Sequence, residues 1–166
     1  MEKPTNGCFI NLPYPNVVNA SDRRKNVLEM IYRLYLSKFT AVAEYIYQNL
    51  IFSQNHPIAA DLLECISLIE MKHFRILGKL LTVLGVDPRI KPADVNRRPK
   101  GSDSLSAISE QQLIDVAYNN IYTTKSFIQE FNMLSRITND REIKTTVQRL
   151  MLDEQHVVDL LEELIM

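Results

Sequence analysis

Two short stretches hold the residues of this chain best suited to chemistry. "IEMKHF", residues 69–74, places Glu70 and His73 three apart inside an apolar run, and "LDEQHV", residues 152–157, repeats the spacing with Asp153 and His156. On a helix, a carboxylate and an imidazole at i and i+3 point to the same side, which is how helical bundles hold iron or manganese. Burying an ionised carboxylate costs several kcal/mol unless a cation or hydrogen-bond donors compensate it. Glu70, His73, Asp153 and His156 are therefore the expected metal ligands. Other chemistries find little support. The chain has only four glycines and no GxGxxG, GxxxxGK or GxSxG motif, so phosphate-cradling loops and nucleophile elbows are absent. No catalytic residue is expected. Cys8 and Cys65 make no CxxC pair, and the reading is of no disulfide framework and a reducing cytoplasm.

Composition narrows the partners. The 166 residues suffice for one domain with a proper core, and 46% hydrophobic with 23% charged is ordinary for a globular protein. Nineteen basic side chains against 20 acidic ones give no field that would gather nucleic acid. No apolar run is long enough for a membrane span, and the first residues lack the order of a signal peptide.

Positioning these residues falls to helices. Periodicity predicts an all-α chain of four. The first runs from capping residues Ser21 and Asp22 to about Phe52, and the second from Pro57 to Gly85. A third follows a capping box at Ser109 and Gln112 and ends near Arg136, and the fourth follows Thr138-Asn139-Asp140. Short loops join the first two and the last two, so each pair should be an antiparallel hairpin. The stretch from Val86 to Ala107 is long enough to run the length of the bundle. One long crossover in a four-helix bundle is the ferritin-like arrangement. Residues 1–20, with "NLPYPNVV", read as an extended arm, and residues 21–166 as the single bundle domain.

A two-metal centre in such a bundle needs a further glutamate from the first and the third helix. The inward row of the first, Ile31, Leu34, Tyr35, Val42 and Tyr45, passes through Lys38. That of the third, Leu113, Val116, Ala117, Thr124 and Phe127, passes through Asn120. Glu44 lies six residues past Lys38, a turn of about 240° onto another face, and is rejected. Lys38 and Glu70 are 32 positions apart, Asn120 and Asp153 are 33, a weak repeat of two hairpins.

"SKFTAVAEYIYQ", residues 37–48, resembles the first helix of manganese catalases and of rubrerythrin-like proteins of spore-forming bacteria. "IEMKHFRILGKLLTVLG" is similar to their second helix, and a Pro-Tyr-Pro arm recurs in the spore-associated group. The likeness covers residues 10–90 well and the second hairpin more loosely. It implies a ferritin-like fold with Glu70, His73, Asp153 and His156 at ligand positions, and peroxide or oxygen chemistry at a metal if the centre is intact. It also implies that Lys38 and Asn120 stand where two glutamate ligands belong, and that Asp153 is a shortened glutamate.

A degenerate centre follows from these departures. Two divalent ions facing two carboxylates and a lysine would be strongly under-compensated, so a full di-metal centre is not expected. Two arrangements remain open: a single Mn, Fe or Zn ion, or no metal, with Lys38 between Glu70 and Asp153 in place of the cation. The alternative to this degenerate bundle is an active Mn- or Fe-dependent oxidoreductase. The apolar positions Ile46, Leu50, Ile51 and Phe52, with the arm, suggest a homodimer. The resemblance adds spore-layer proteins as partners.

Overall fold

The computed structural model describes residues 7–91 and 108–166. Four helices account for most of them: α1 (Lys25–Phe52), α2 (Pro57–Val83), α3 (Glu110–Ile137) and α4 (Arg141–Glu162). No strand occurs among the described residues.

Each helix carries a row of buried positions at alternating three- and four-residue spacing. On α4 it is Ile143, Val147, Leu150, Glu154, Val157 and Leu161, and on α2 it is Leu63, Ile66, Glu70, His73, Leu77 and Leu80. Such rows face a partner helix continuously, and here they are apolar everywhere except near mid-length. The rows of α1 and α3 pass through Lys38 and Gln48 and through Asn120 and Thr124, all buried.

Side-chain pairs fix the directions of the helices. The Asn49 amide donates to the Ala60 carbonyl at 2.8 Å, and Tyr35 stacks on Phe74 with ring centroids 4.4 Å apart, so α1 and α2 are antiparallel. Between α1 and α3, Gln48 pairs with Asn120 while Arg33 Nε lies 3.5 Å from Glu130 Oε2, so these two are also antiparallel. The His56 ring, at the start of α2, lies 3.1 Å from the carbonyl of Ile108, just before α3. The helices α2 and α3 thus begin at the same end and run parallel. The expected crossing between them falls mostly on positions 92–107, outside the described residues.

The ends follow their local chemistry. Gly85, at φ 81°, closes α2 in a Schellman turn: Val86 N–H donates to Leu81 O at 2.9 Å and Gly85 N–H to Thr82 O at 3.0 Å. The capping box is present at α3, with Gln112 N–H on Ser109 Oγ at 3.2 Å and Ser109 N–H on Gln112 Oε1 at 2.8 Å. The start of α1 differs from expectation. Ser21 and Asp22 do not cap it; their backbone N–H groups donate to Asp140 Oδ2 at 2.6 and 3.1 Å. Asp22 instead accepts from the Thr138 hydroxyl at 2.7 Å and pairs with Arg24, tying the entry of α1 to the α3–α4 turn.

Two further expectations are corrected. Cys8 and Cys65 form a disulfide across 57 residues, because the segment before α1 lies back on α2. Their separation in sequence gave no sign of this, and a reducing compartment no longer follows from the cysteines. Phe52 is fully buried in the chain's own core, so it cannot belong to an outer face, whereas Leu50 is 65% exposed.

Asp140 is the pivot of this end. Besides Ser21 and Asp22 it accepts from Glu142 N–H at 2.9 Å and Ile143 N–H at 3.2 Å, capping α4. Asp140→Ala should cost about 2 kcal/mol, the top of the range for a helix cap, because four backbone donors lose their acceptor. Urea unfolding reads this directly, and a loss no larger than an exposed substitution gives would refute the pivot.

Candidate metal centre and buried charge cluster

Six charged side chains converge at mid-bundle. Lys38 comes from α1, Glu70 and His73 from α2, and Arg149, Asp153 and Glu154 from α4; all are buried. The Lys38 ammonium donates to Glu154 Oε1 and stands 2.8 Å from Glu70 Oε2. His73 bridges the two α4 carboxylates, with Nδ1 2.9 Å from Glu154 Oε1 and Nε2 2.8 Å from Asp153 Oδ2. Arg149 Nη1 donates to Asp153 Oδ1 at 2.6 Å, one helical turn away. Aromatic rings close the cluster: Lys38 Nζ lies 3.8 Å from the centre of the Phe127 ring, and Phe131 sets its ring edgewise to His73.

The protonation states follow from these contacts. Both ring nitrogens of His73 face carboxylate oxygens, so both must donate, and the ring is an imidazolium. Burial works against this charge, but the hydrogen bonds to Asp153 and Glu154 outweigh it and raise the His73 pKa. Burial opposes the ionised forms of Asp153 and Glu154 too. It is overcome at Asp153 by His73, Arg149 and Tyr14, and at Glu154 by Lys38 and His73, so both pKa values fall. Glu70 goes the other way: burial and the neighbouring Glu154 charge raise it, with Lys38 and His73 opposing. The Lys38 ammonium stays charged, because Glu154 and Glu70 outweigh its burial and raise its pKa.

The four residues expected as ligands separate here. Glu70, His73 and Asp153 join one cluster. His156 does not: its Nε2 lies 3.1 Å from the Cys8 carbonyl, half-buried on the outer side of α4. Glu154 takes the central place instead. Glu70, His73 and Glu154 each offer a ligand atom within 4.8 Å of the others, the one such group among the described residues. The signal for Glu154 was the buried row through Leu150 and Val157, four before and three after it. Glu44 is exposed and accepts from Gln48 Nε2 at 3.1 Å, outside the cluster. Asn120 and Gln48 satisfy each other through paired amide bonds of 2.7 and 3.2 Å.

The donor set can be tested against a metal. Both oxygens of Glu70 and Oε2 of Glu154 are buried without a hydrogen bond; Lys38 is near Glu70 by charge but off the direction a hydrogen bond needs. Those oxygens would suit one divalent ion, which His73 could join only after giving up a proton. On α1 and α3 the buried polar side chains near this level are the Lys38 ammonium and the Asn120 carboxamide, and neither is a carboxylate.

No known protein family, no curated protein and no solved structure matches the chain.

The sign of the pH dependence follows from His73. Its pKa is higher folded than unfolded, so its contribution to stability is fully present below the unfolded value of about 6.5 and is lost as pH rises through the folded value. Asp153 and Glu154 act oppositely, contributing above about pH 4 to 4.5 and losing this as pH falls through their depressed folded values. Ring carbon and nitrogen shifts should show His73 as an imidazolium at pH 7.5. A neutral ring at that pH would disprove the double donation.

Proposed function

We propose that this chain is a ferritin-like bundle whose di-metal centre has become an ion-pair core, and that it serves as a metal-free structural or assembly protein rather than an oxidoreductase. The parallel run of α2 and α3 and the short hairpins on either side support the ferritin-like arrangement with its long crossover. The observation that carries the functional reading is the charge balance at mid-bundle. Lys38, His73 and Arg149 supply three positive charges and Glu70, Asp153 and Glu154 three negative ones when ionised. A divalent ion would enter a cluster already neutral, against an ammonium ion-paired with two of its ligands. Redox cycling by a bridged metal pair also needs the two glutamates whose places Lys38 and Asn120 fill.

A second reading is favoured by the oxygens of Glu70 and Glu154 that lack a hydrogen bond. One Mn, Fe or Zn ion could bind there if Lys38 swung away and His73 gave up a proton, so affinity would rise with pH. Ile46, Tyr47 and Leu50, exposed side by side on α1, support a homodimer. The Pro-Tyr-Pro arm supports a place among spore-layer proteins.

Elemental analysis of the purified protein should find well below one metal per chain; two tightly held ions would overturn the proposal. Lys38→Met should lower the stability of the metal-free protein by roughly 3–5 kcal/mol, since it strands two buried carboxylates. Replacing Lys38 and Asn120 together by glutamate should strengthen Mn²⁺ binding, read by calorimetry. A Lys38→Met variant as stable as the parent would show that the ammonium is not the compensating charge.

A further inference from the structure

The segment before α1 is fastened over the gap between α2 and α4, and its fastenings fall on one stripe. Arg149, Asp153 and His156 are spaced four and three along α4, on the side turned toward that segment. Arg149 Nη2 donates to the Leu12 carbonyl at 3.0 Å, the Tyr14 hydroxyl donates to Asp153 Oδ2, and the His156 ring meets the Cys8 carbonyl. The Tyr14 ring carries the Arg149 guanidinium at 4.1 Å and the Lys72 ammonium of α2 at 5.2 Å. Tyr14 thereby lies over the edge of the buried cluster, on the carboxylate that His73 also holds. Burial and Asp153 together push the Tyr14 pKa well up, so the hydroxyl keeps its proton as donor. The one covalent tie is Cys8–Cys65, at the far end of the segment from α1. Cys8 is buried while the Cys65 side is partly open to solvent.

We propose that residues 7–14 are a redox-latched strap, and that reduction of the Cys8–Cys65 disulfide by a dithiol releases it and uncovers the Asp153 edge of the charge cluster. In the step, one dithiol is oxidised to its disulfide, the Cys8–Cys65 bond takes up two electrons and two protons, and two thiols result. The release stops short of α1. Val17 and Ala20 are buried in the core, and the backbone N–H groups of Val18 and Asn19 donate to Glu142, so the strap pivots about Pro15. Once the latch opens, the strap keeps the partial packing of Phe9 and Tyr14 against the core and its polar contacts, and the polar ones are each worth little where water competes. The inference does not depend on whether a metal binds.

The chain has no tryptophan, so Leu12→Trp, at a half-exposed position whose backbone contact is kept, gives a single reporter. Three forms of this variant are compared: oxidised, reduced with dithiothreitol, and carrying Cys65→Ser. Expected in the last two is a lower fluorescence anisotropy of the introduced indole and amide exchange at residues 9–14 faster by roughly tenfold, with the α1–α4 cores unchanged. Asp153 should be labelled by carbodiimide and an amine about fivefold faster, reverting when the reduced protein is reoxidised. Unchanged strap exchange would overturn the latch, as would a strap that loosens while Asp153 stays unlabelled. Loss of protection throughout the four helices would make the disulfide a staple of the fold instead, and that too would overturn it.

Discussion

A lysine ammonium with no access to water is the constraint from which the centre of this bundle is built. Lys38 cannot be buried uncompensated, and the two carboxylates beside it cannot be buried without it. Each then requires the next: Glu154 is shared with His73, His73 must be doubly protonated to serve Glu154 and Asp153, and Asp153 draws in Arg149 and Tyr14. The chain of contacts runs from α1 through α2 and α4 to the segment before α1. It contributes little net stability over an apolar core of the same shape, but it allows one register of the four helices, since a shift of any of them strands a charge.

The neighbouring polar pair obeys the same rule at lower stakes. Gln48 and Asn120 exchange two amide bonds across α1 and α3, and Gln48 Nε2 donates to Glu44 as well. Both amide oxygens of the pair have a donor. Glu70 is the opposite case, with both oxygens lacking a hydrogen bond and its pKa raised. The centre is thus lopsided. Between α1 and α3, Glu44, Tyr45, Asn120 and Phe127 line an open cavity, and the α2 side keeps the one carboxyl group that gains most from a further donor or cation.

Much of this could be read from the sequence. The helices, the capping box at Ser109 and the inward placement of Lys38, Glu70, His73 and Asn120 follow from apolar spacing that continues through a polar residue. The phase of α4 did not follow, and the reason is geometric. Asp153 and His156 reproduce the spacing of Glu70 and His73, but spacing fixes only that two residues share a face, not which face is inward. The buried row of α4 centres on Glu154, with successive residues about 100° apart, so Asp153 falls at its edge and His156 on the far side. The disulfide was illegible for a different reason. It depends on where an irregular segment lies, and neither periodicity nor propensity constrains that.

The same rotation explains how one motif can serve two purposes. On α2 the carboxylate-x-x-His pair points into the core and takes part in charge balance. On α4 it is turned outward by about one residue, and with Arg149 it becomes a stripe of donors and acceptors for passing backbone. Asp153 stands at the boundary and does both, with one oxygen toward Arg149 and the other shared by His73 and Tyr14. Three donors thus converge on this one carboxylate. The potential ligand atoms that lie within reach of one another are those of Glu70, His73 and Glu154. The segment before α1 therefore bears on the centre's chemistry without entering it: by occupying Asp153, it limits what the remaining three residues could hold.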